Sequence, residues 1–138
     1  MQQNEQLKQR LSRMYTAFES GELAVVDDLL SAEKEVVGIG TDPNEWWAGE
    51  NLRSAFKAQL PEMHAAGMRF RQGSIQAHSE GSVGWAADQP ALVLPDGNEV
   101  PMRLTSVWRQ EADTWKMVQF HLSIGIPNQA ALGENLTT

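Results

Sequence analysis

His121 and Ser123 stand two residues apart near the end of the chain, an imidazole and a hydroxyl of the kind that nucleophilic sites combine. At i and i+2 on an extended strand they lie side by side on one face. The sequence supplies no third group beside them to orient the imidazole, as a hydrolase triad requires. His121 therefore reads as a hydrogen-bonded structural or interface residue. His64 and His78 fall at a helix end and a strand end, and the three histidines lack metal-ligand spacing. The chain contains no cysteine, which removes disulfides, thiolate ligands and a cysteine nucleophile. No metal and no cofactor are expected.

Trp46, Trp47, Trp85 and Trp108 offer large rigid walls of the kind that line a binding site with a few orienting polar groups. Each serves equally well as ordinary core or edge packing. The adjacent indoles at 46 and 47 read as part of a loop, and both cannot enter one core. One of them is expected to face a cavity or its mouth.

The elements that must hold these side chains change character midway. Leu7, Leu11, Met14, Tyr15 and Phe18 recur at helical spacing, and Ser20-Gly21 breaks that helix. Leu23, Val26, Leu29 and Leu30 give a short second helix. Val36 to Ile39 is a brief strand that ends in the turn-forming Gly40-Thr41-Asp42-Pro43. Leu52, Phe56, Leu60 and Met63 mark a third helix, entered after Gly49, interrupted near Pro61 and closed by Gly67. From Met68 the pattern becomes a meander, with strands over 68–77, 82–87, 91–94, 100–109 and 115–126 and turns at Pro95-Asp96-Gly97-Asn98 and Ala112-Asp113-Thr114. Helices first and antiparallel strands afterwards specify an α+β fold, three N-terminal helices packed on a curved, mostly antiparallel sheet. One domain is expected over 1–132, with 133–138 as a tail.

Two strands have legible faces. Leu104, Ser106 and Trp108 form a core-like row, opposite Arg103, Thr105, Val107 and Arg109. In the last strand Val118, Phe120, Leu122, Ile124 and Ile126 form one row, opposite Met117, Gln119, His121 and Ser123. Neither of these last two rows is fully polar, so both sheet faces are expected to be covered, one by the helices and one by a second copy in a homodimer. Arg103, Thr105, His121 and Ser123 then belong to that interface or to a polar network; a slip of one residue would turn Arg103 into the pocket.

The stretch Arg103-Leu-Thr-Ser-Val-Trp-Arg, a turn, and Trp115-Lys-Met-Val-Gln-Phe-His-Leu-Ser123 resembles the last hairpin of the nuclear transport factor 2-like superfamily. Within it, SnoaL-like proteins and the association domain of calcium/calmodulin-dependent protein kinase II are the most similar, and the order of elements agrees across nearly the whole chain. The resemblance implies a cone-shaped fold, a cavity between the third helix and the sheet, and dimers. It does not transfer a function, because the fold hosts isomerases, cyclases, dehydratases, binding modules and oligomerisation domains. The basic positions that line the kinase domain's cavity fall here on Arg53, Ala87, Ser106 and Leu122. Three are uncharged, so an apolar or aromatic ligand is expected rather than a polyanion, with Arg53 either meeting a carboxylate or sitting on the helix surface. Asp42-Pro43 resembles the placement of the catalytic aspartate of steroid isomerase, another member. A carboxylate at the mouth of an apolar cavity would have its pKa raised by desolvation, as a general base needs. Glu45 reads as a solvated loop residue and Asp88 as a strand end.

A formal net charge of −7, with hydrophobic residues at 41% and charged residues at 21%, describes a globular chain without the clustered Lys and Arg that nucleic-acid binding needs. The first residues carry no basic segment followed by an apolar one, and no apolar run is long enough to span a membrane. A cytoplasmic protein is expected. The expected role is a dimeric module binding a small organic ligand through Trp46, Trp47, Arg53, Trp85, Ser106, Trp108 and Leu122. The alternatives are an isomerase, cyclase or dehydratase using Asp42 as base, or a purely oligomeric domain.

Overall fold

A computed structural model describes residues 1–138. After a two-residue strand β1 (Gln2–Gln3), helix α1 spans Glu5–Ser20. Its start is set by Asn4, whose side chain accepts the Leu7 N–H at 3.0 Å and satisfies one of the orphan donors of the first turn. Its buried stripe is Leu7, Leu11, Met14, Tyr15, Ala17 and Phe18. Gly21 ends it at φ 74°, a left-handed conformation that glycine adopts without a Cβ clash. Helix α2 (Ala24–Leu29) adds Val25, Val26 and Leu29 to the same core.

Helix α3 spans Glu50–Ala65 and buries Leu52, Phe56 and Leu60. The interruption expected at Pro61 does not occur. Pro61 lies on the exposed side, where solvent can serve the carbonyl that its missing N–H leaves unpaired. The helix closes with paired bonds, Met68 N–H to the Met63 carbonyl and Gly67 N–H to the His64 carbonyl, so Gly67 acts as the left-handed stop.

The strands are β2 (Val37–Ile39), β3 (Trp46–Ala48), β4 (Arg69–Arg71), β5 (Gln76–Glu80), β6 (Val83–Asp88), β7 (Ala91–Val93), β8 (Glu99–Pro101), β9 (Arg103–Glu111) and β10 (Thr114–Ser123). A short exposed helix α4 (Asn128–Leu132) follows. Seven strands form one sheet in the order β1-β5-β6-β9-β10-β2-β3, and β4-β7-β8 form a second. All pairings are antiparallel except β10 with β2, which makes the main sheet mixed. No helix is long and apolar enough to cross a membrane.

Three strand assignments differ from the sequence reading. The tryptophans at 46 and 47 lie in β3 against β2 rather than in a loop. The expected strand over 68–77 divides into β4 and β5, which belong to different sheets, around Gly73. A Cβ there would sit 2.7 Å from both Asp88 Oδ1 and the Gln89 carbonyl, so only glycine lets the chain pass. The strand expected over 100–109 divides between β8 and β9 at Met102, whose N–H leaves for the Pro90 carbonyl at 2.8 Å.

The faces of β9 follow the reading: Leu104, Ser106 and Trp108 are buried and Arg103 and Thr105 are exposed. Those of β10 do not. Met117 pairs with Trp108 and Gln119 with Val107, which leaves Val118 as an extra residue, a β-bulge. Trp115 and Met117 face the core before the bulge, and Phe120 and Leu122 face inward after it. Val118 turns outward, where it joins Val37, Ile39 and Trp46 in a shallow groove.

Candidate functional site

Between α1, α3 and the inner sheet face lies a cavity of about 270 Å³. Phe18 of α1, Phe56 and Met63 of α3, Phe70 of β4 and Leu104, Phe120 and Leu122 of the main sheet supply most of its wall. Met14, Met68 and Met102 add flexible thioethers that can adapt to the shape of an occupant. Trp47 closes one side. The aromatic wall is well ordered by its own packing, with Phe56 stacked on Phe120 at 5.1 Å and Phe18 edge-on to Phe56 at 5.9 Å.

The polar groups on this wall are few: Thr41, Glu45, Gln59 and Glu62. Glu45 is the one held in place. Its Oε2 accepts from the Gln59 side-chain amide at 2.8 Å, and its Oε1 accepts the Asp42 N–H at 2.8 Å. In return the Glu45 N–H reaches the Asp42 carbonyl at 2.9 Å, and Asp42 Oδ1 accepts the Asn44 N–H at 2.8 Å. Asp42-Pro-Asn-Glu45 is thus a hydrogen-bonded β-turn with an Asx contact, in which the fourth residue's carboxylate also reaches back to the first residue's N–H. The turn residues are visible in the sequence, but Glu45 is partly buried rather than the solvated loop residue expected.

The expected ligand set divides. Trp47 and Leu122 line the cavity. Trp46 is 70% exposed and points to the opposite sheet face, since neighbours in a strand alternate. Trp85 also lies on that outer face, stacked on His78 at 6.2 Å. The inner face of β6 is left to Gly84 and Ala86 because α1 packs so closely that a Cβ on Gly84 would collide with Leu7. Trp108 is fully buried, and its indole N–H donates to the Ser106 hydroxyl at 2.8 Å, so the pair is core packing. Arg53 turns away from the cavity. Its guanidinium pairs with Asp27 and donates to the Ser31 carbonyl at 3.0 Å, tying α3 to the segment after α2. Asp42 is exposed in its turn, outside the cavity wall, its carboxylate engaged by Asn44. Arg103, Thr105, His121 and Ser123 lie on the outer face, with Thr105 opposite His121 and Arg103 opposite Ser123.

Asp88, read as a strand end, is instead only 6% exposed. Its Oδ2 accepts the Tyr15 hydroxyl at 2.9 Å and the Gly73 N–H at 3.1 Å, while Oδ1 is buried without a partner. Burial first, then the adjacent carboxylate's charge and hydrogen bond, push the Tyr15 hydroxyl far above its usual pKa. This pair lies beside the cavity and does not line it. No three His, Asp or Glu side chains are grouped so as to hold a metal ion.

Comparison with known proteins places this geometry in context. A SnoaL-like domain model matches residues 7–127. No curated protein matches the chain. Among solved structures, a nuclear transport factor 2-like protein of unknown function from Pseudomonas putida is 16% identical with a TM-score of 0.75, covering 96% of this chain and 92% of that one. A candidate dehydratase of the same family from Streptomyces avermitilis is 16% identical with a TM-score of 0.73, covering 88% and 95%. A candidate calcium/calmodulin-dependent protein kinase II association domain from Thiobacillus denitrificans is 23% identical with a TM-score of 0.67, covering 85% and 93%. At these identities the likeness is one of fold.

Proposed function

The chain belongs to the SnoaL-like domain family, and from that premise we propose that it is a small-molecule-binding module whose ligand, apolar or aromatic, occupies the cavity between α3 and the sheet. The observation that carries this reading is the wall itself. It is a connected surface of Phe, Trp, Met and Leu with a handful of polar groups at one side, the composition by which ligand pockets combine affinity with orientation. A volume of about 270 Å³ is close to the lower end of the range for such pockets, roughly 300–1,000 Å³, and suits a molecule of one or two rings.

The module acts as a homodimer in this reading. Its outer sheet face carries two apolar groups, Val83, Trp85 and Val107 on one side and Ile39 and Trp46 on the other, with Gln119, Thr105 and His121 between them, a mixed surface that a second copy would cover.

The enzymatic reading, proton abstraction beside a carbonyl by Asp42, has weaker support. The Asp42 carboxylate is spent on its own turn and stands outside the cavity wall. A module that only oligomerises is also less well supported, since its cavity would be filled by its own side chains.

The binding reading is tested by a thermal-shift screen of one- and two-ring organic compounds against the wild type, Trp47→Ala and Leu122→Trp. Stabilisation of the wild type by some compound, lost in the variant that removes a wall and in the one that fills the space, supports it. If no compound raises the wild-type melting temperature, or if both variants respond as the wild type does, the reading fails.

A further inference from the structure

Every charged group on the cavity wall is acidic. Glu45 and Glu62 face it, and no Lys, Arg or His does. Glu45 is also pre-oriented, one oxygen held by Gln59 from α3 and the other by the Asp42 N–H. The Thr41 hydroxyl also donates to Oε1, at 3.5 Å; a carboxylate has about four lone-pair positions, so these three bonds leave one, on Oε2, for a donor inside the cavity. The same wall carries Trp47, Phe56 and Phe120, aromatic surface that suits an apolar body and offers an anion no donor apart from the indole N–H. The formal net charge of −7 adds a field of the same sign.

From this charge complementarity we infer that the cavity selects an organic cation, a protonated or quaternary amine on a small apolar or aromatic body, with its nitrogen at Glu45 and its body against the rings. The inference rests on the binding reading above and adds a chemical class to it. An anionic ligand would leave Glu45 facing a like charge beside a largely apolar wall. A neutral one would forgo the charge-assisted bond. Glu45 has little freedom to swing away: Gly40 lies against it so closely that a Cβ there would sit 2.8 Å from Oε1.

Three probes of nearly one size separate the possibilities: phenethylamine, phenethyl alcohol and phenylacetate, measured by calorimetric titration near neutral pH. The amine is expected to bind about tenfold tighter than the alcohol, equivalent to about 1.4 kcal/mol, with phenylacetate weakest. Glu45→Gln should erase the preference for the amine, weakening the amine about tenfold more than the alcohol, with an unchanged circular dichroism spectrum and melting temperature reporting an intact fold. Should that variant fail to fold, added salt on the wild type serves instead, weakening the amine and not the alcohol. An alcohol or carboxylate that binds as tightly as the amine overturns the cation inference and leaves the binding module standing. The same holds if Glu45→Gln retains the preference, or if the screen finds ligands but none is cationic. Failure of every compound removes both.

Discussion

The Tyr15 hydroxyl donates to Oδ2 of Asp88 across 2.9 Å in the interior, joining α1 to the end of β6 with side chains that are 3% and 6% exposed. Tyr15 is the chain's single tyrosine, so its absorbance reports this contact alone. Its ionisation in the folded state is displaced far upward by burial and by Asp88, whereas in the unfolded chain it titrates near 10.0. The folded state therefore holds a proton that the unfolded state releases. The contribution is fully present below pH 10.0 and is lost as pH rises beyond it, at up to about 1.4 kcal/mol per pH unit. Urea melts across the alkaline range should show that decline, with tyrosinate absorbance appearing only on unfolding. Full tyrosinate absorbance in folded protein near pH 10.0 would contradict it.

Removing the donor strands the acceptor. Tyr15→Phe leaves Asp88 with the Gly73 N–H alone and should destabilise the protein by about 1–3 kcal/mol. Adding Asp88→Leu to that variant removes the stranded carboxylate and should restore part of the loss, the remainder being set by the Gly73 N–H, which loses its acceptor. Denaturant unfolding of the single and double variants decides this. An additive double variant would mean that the two side chains are not coupled.

Gly38 of β2 lies under both α3 and β10. A Cβ there would run into Leu52 and Phe120 at once, from two elements that cannot both retreat. Gly38→Ala should cost about 1–3 kcal/mol by overpacking, measured as a lower denaturation midpoint with an unchanged slope. A neutral effect would show that the wall of the cavity yields more easily than its stacked rings suggest.

Asp27 accepts from Lys57 and Arg53, and these hydrogen bonds hold its carboxyl below the usual value of 3.8. A depressed folded-state pKa gives stability that is present above that ordinary value and is lost as pH falls through the lowered one. The group is solvent-exposed, so the effect should be small and screened by salt. Acid unfolding curves of wild type and Asp27→Asn should differ at low ionic strength and converge at high ionic strength. Curves that coincide at both would remove the role assigned to this cluster.

The proposed dimer predicts that Trp46→Glu, which places a charge on the outer face and touches nothing in the cavity, yields monomers in sedimentation velocity. A wild-type protein that sediments as a monomer at micromolar concentration rejects the interface.

Periodicity alone marks the buried stripe of α1 and the inner row of β9, because each element presents one uninterrupted phase to the core. Trp85 is not legible in this way. Hydrophobicity assigns the indole to the interior, yet the close approach of Leu7 reserves the inner face of β6 for Gly84 and Ala86. A helix–sheet distance is not a local property of any strand. Asp42 and Glu45 exchange roles for the opposite reason. Their turn is local, and its Asp-Pro-Asn-Glu sequence directs the first carboxylate to the turn's own backbone and leaves the second to reach α3. The partner that fixes Glu45 at the cavity, Gln59, is fourteen residues away and has no local signature.

The extra residue at Val118 bears on how this chain can vary over time. Beyond it, even-numbered positions form the ligand-side wall and odd-numbered ones the outer row, so a gain or loss of one residue in that strand would exchange Phe120 and Leu122 with Gln119 and His121 together. Length changes there should survive selection only in steps of two, or when a second bulge restores the parity. The cavity and the outer surface thus inherit a shared reading frame in three dimensions, and single indels cannot tune one while sparing the other.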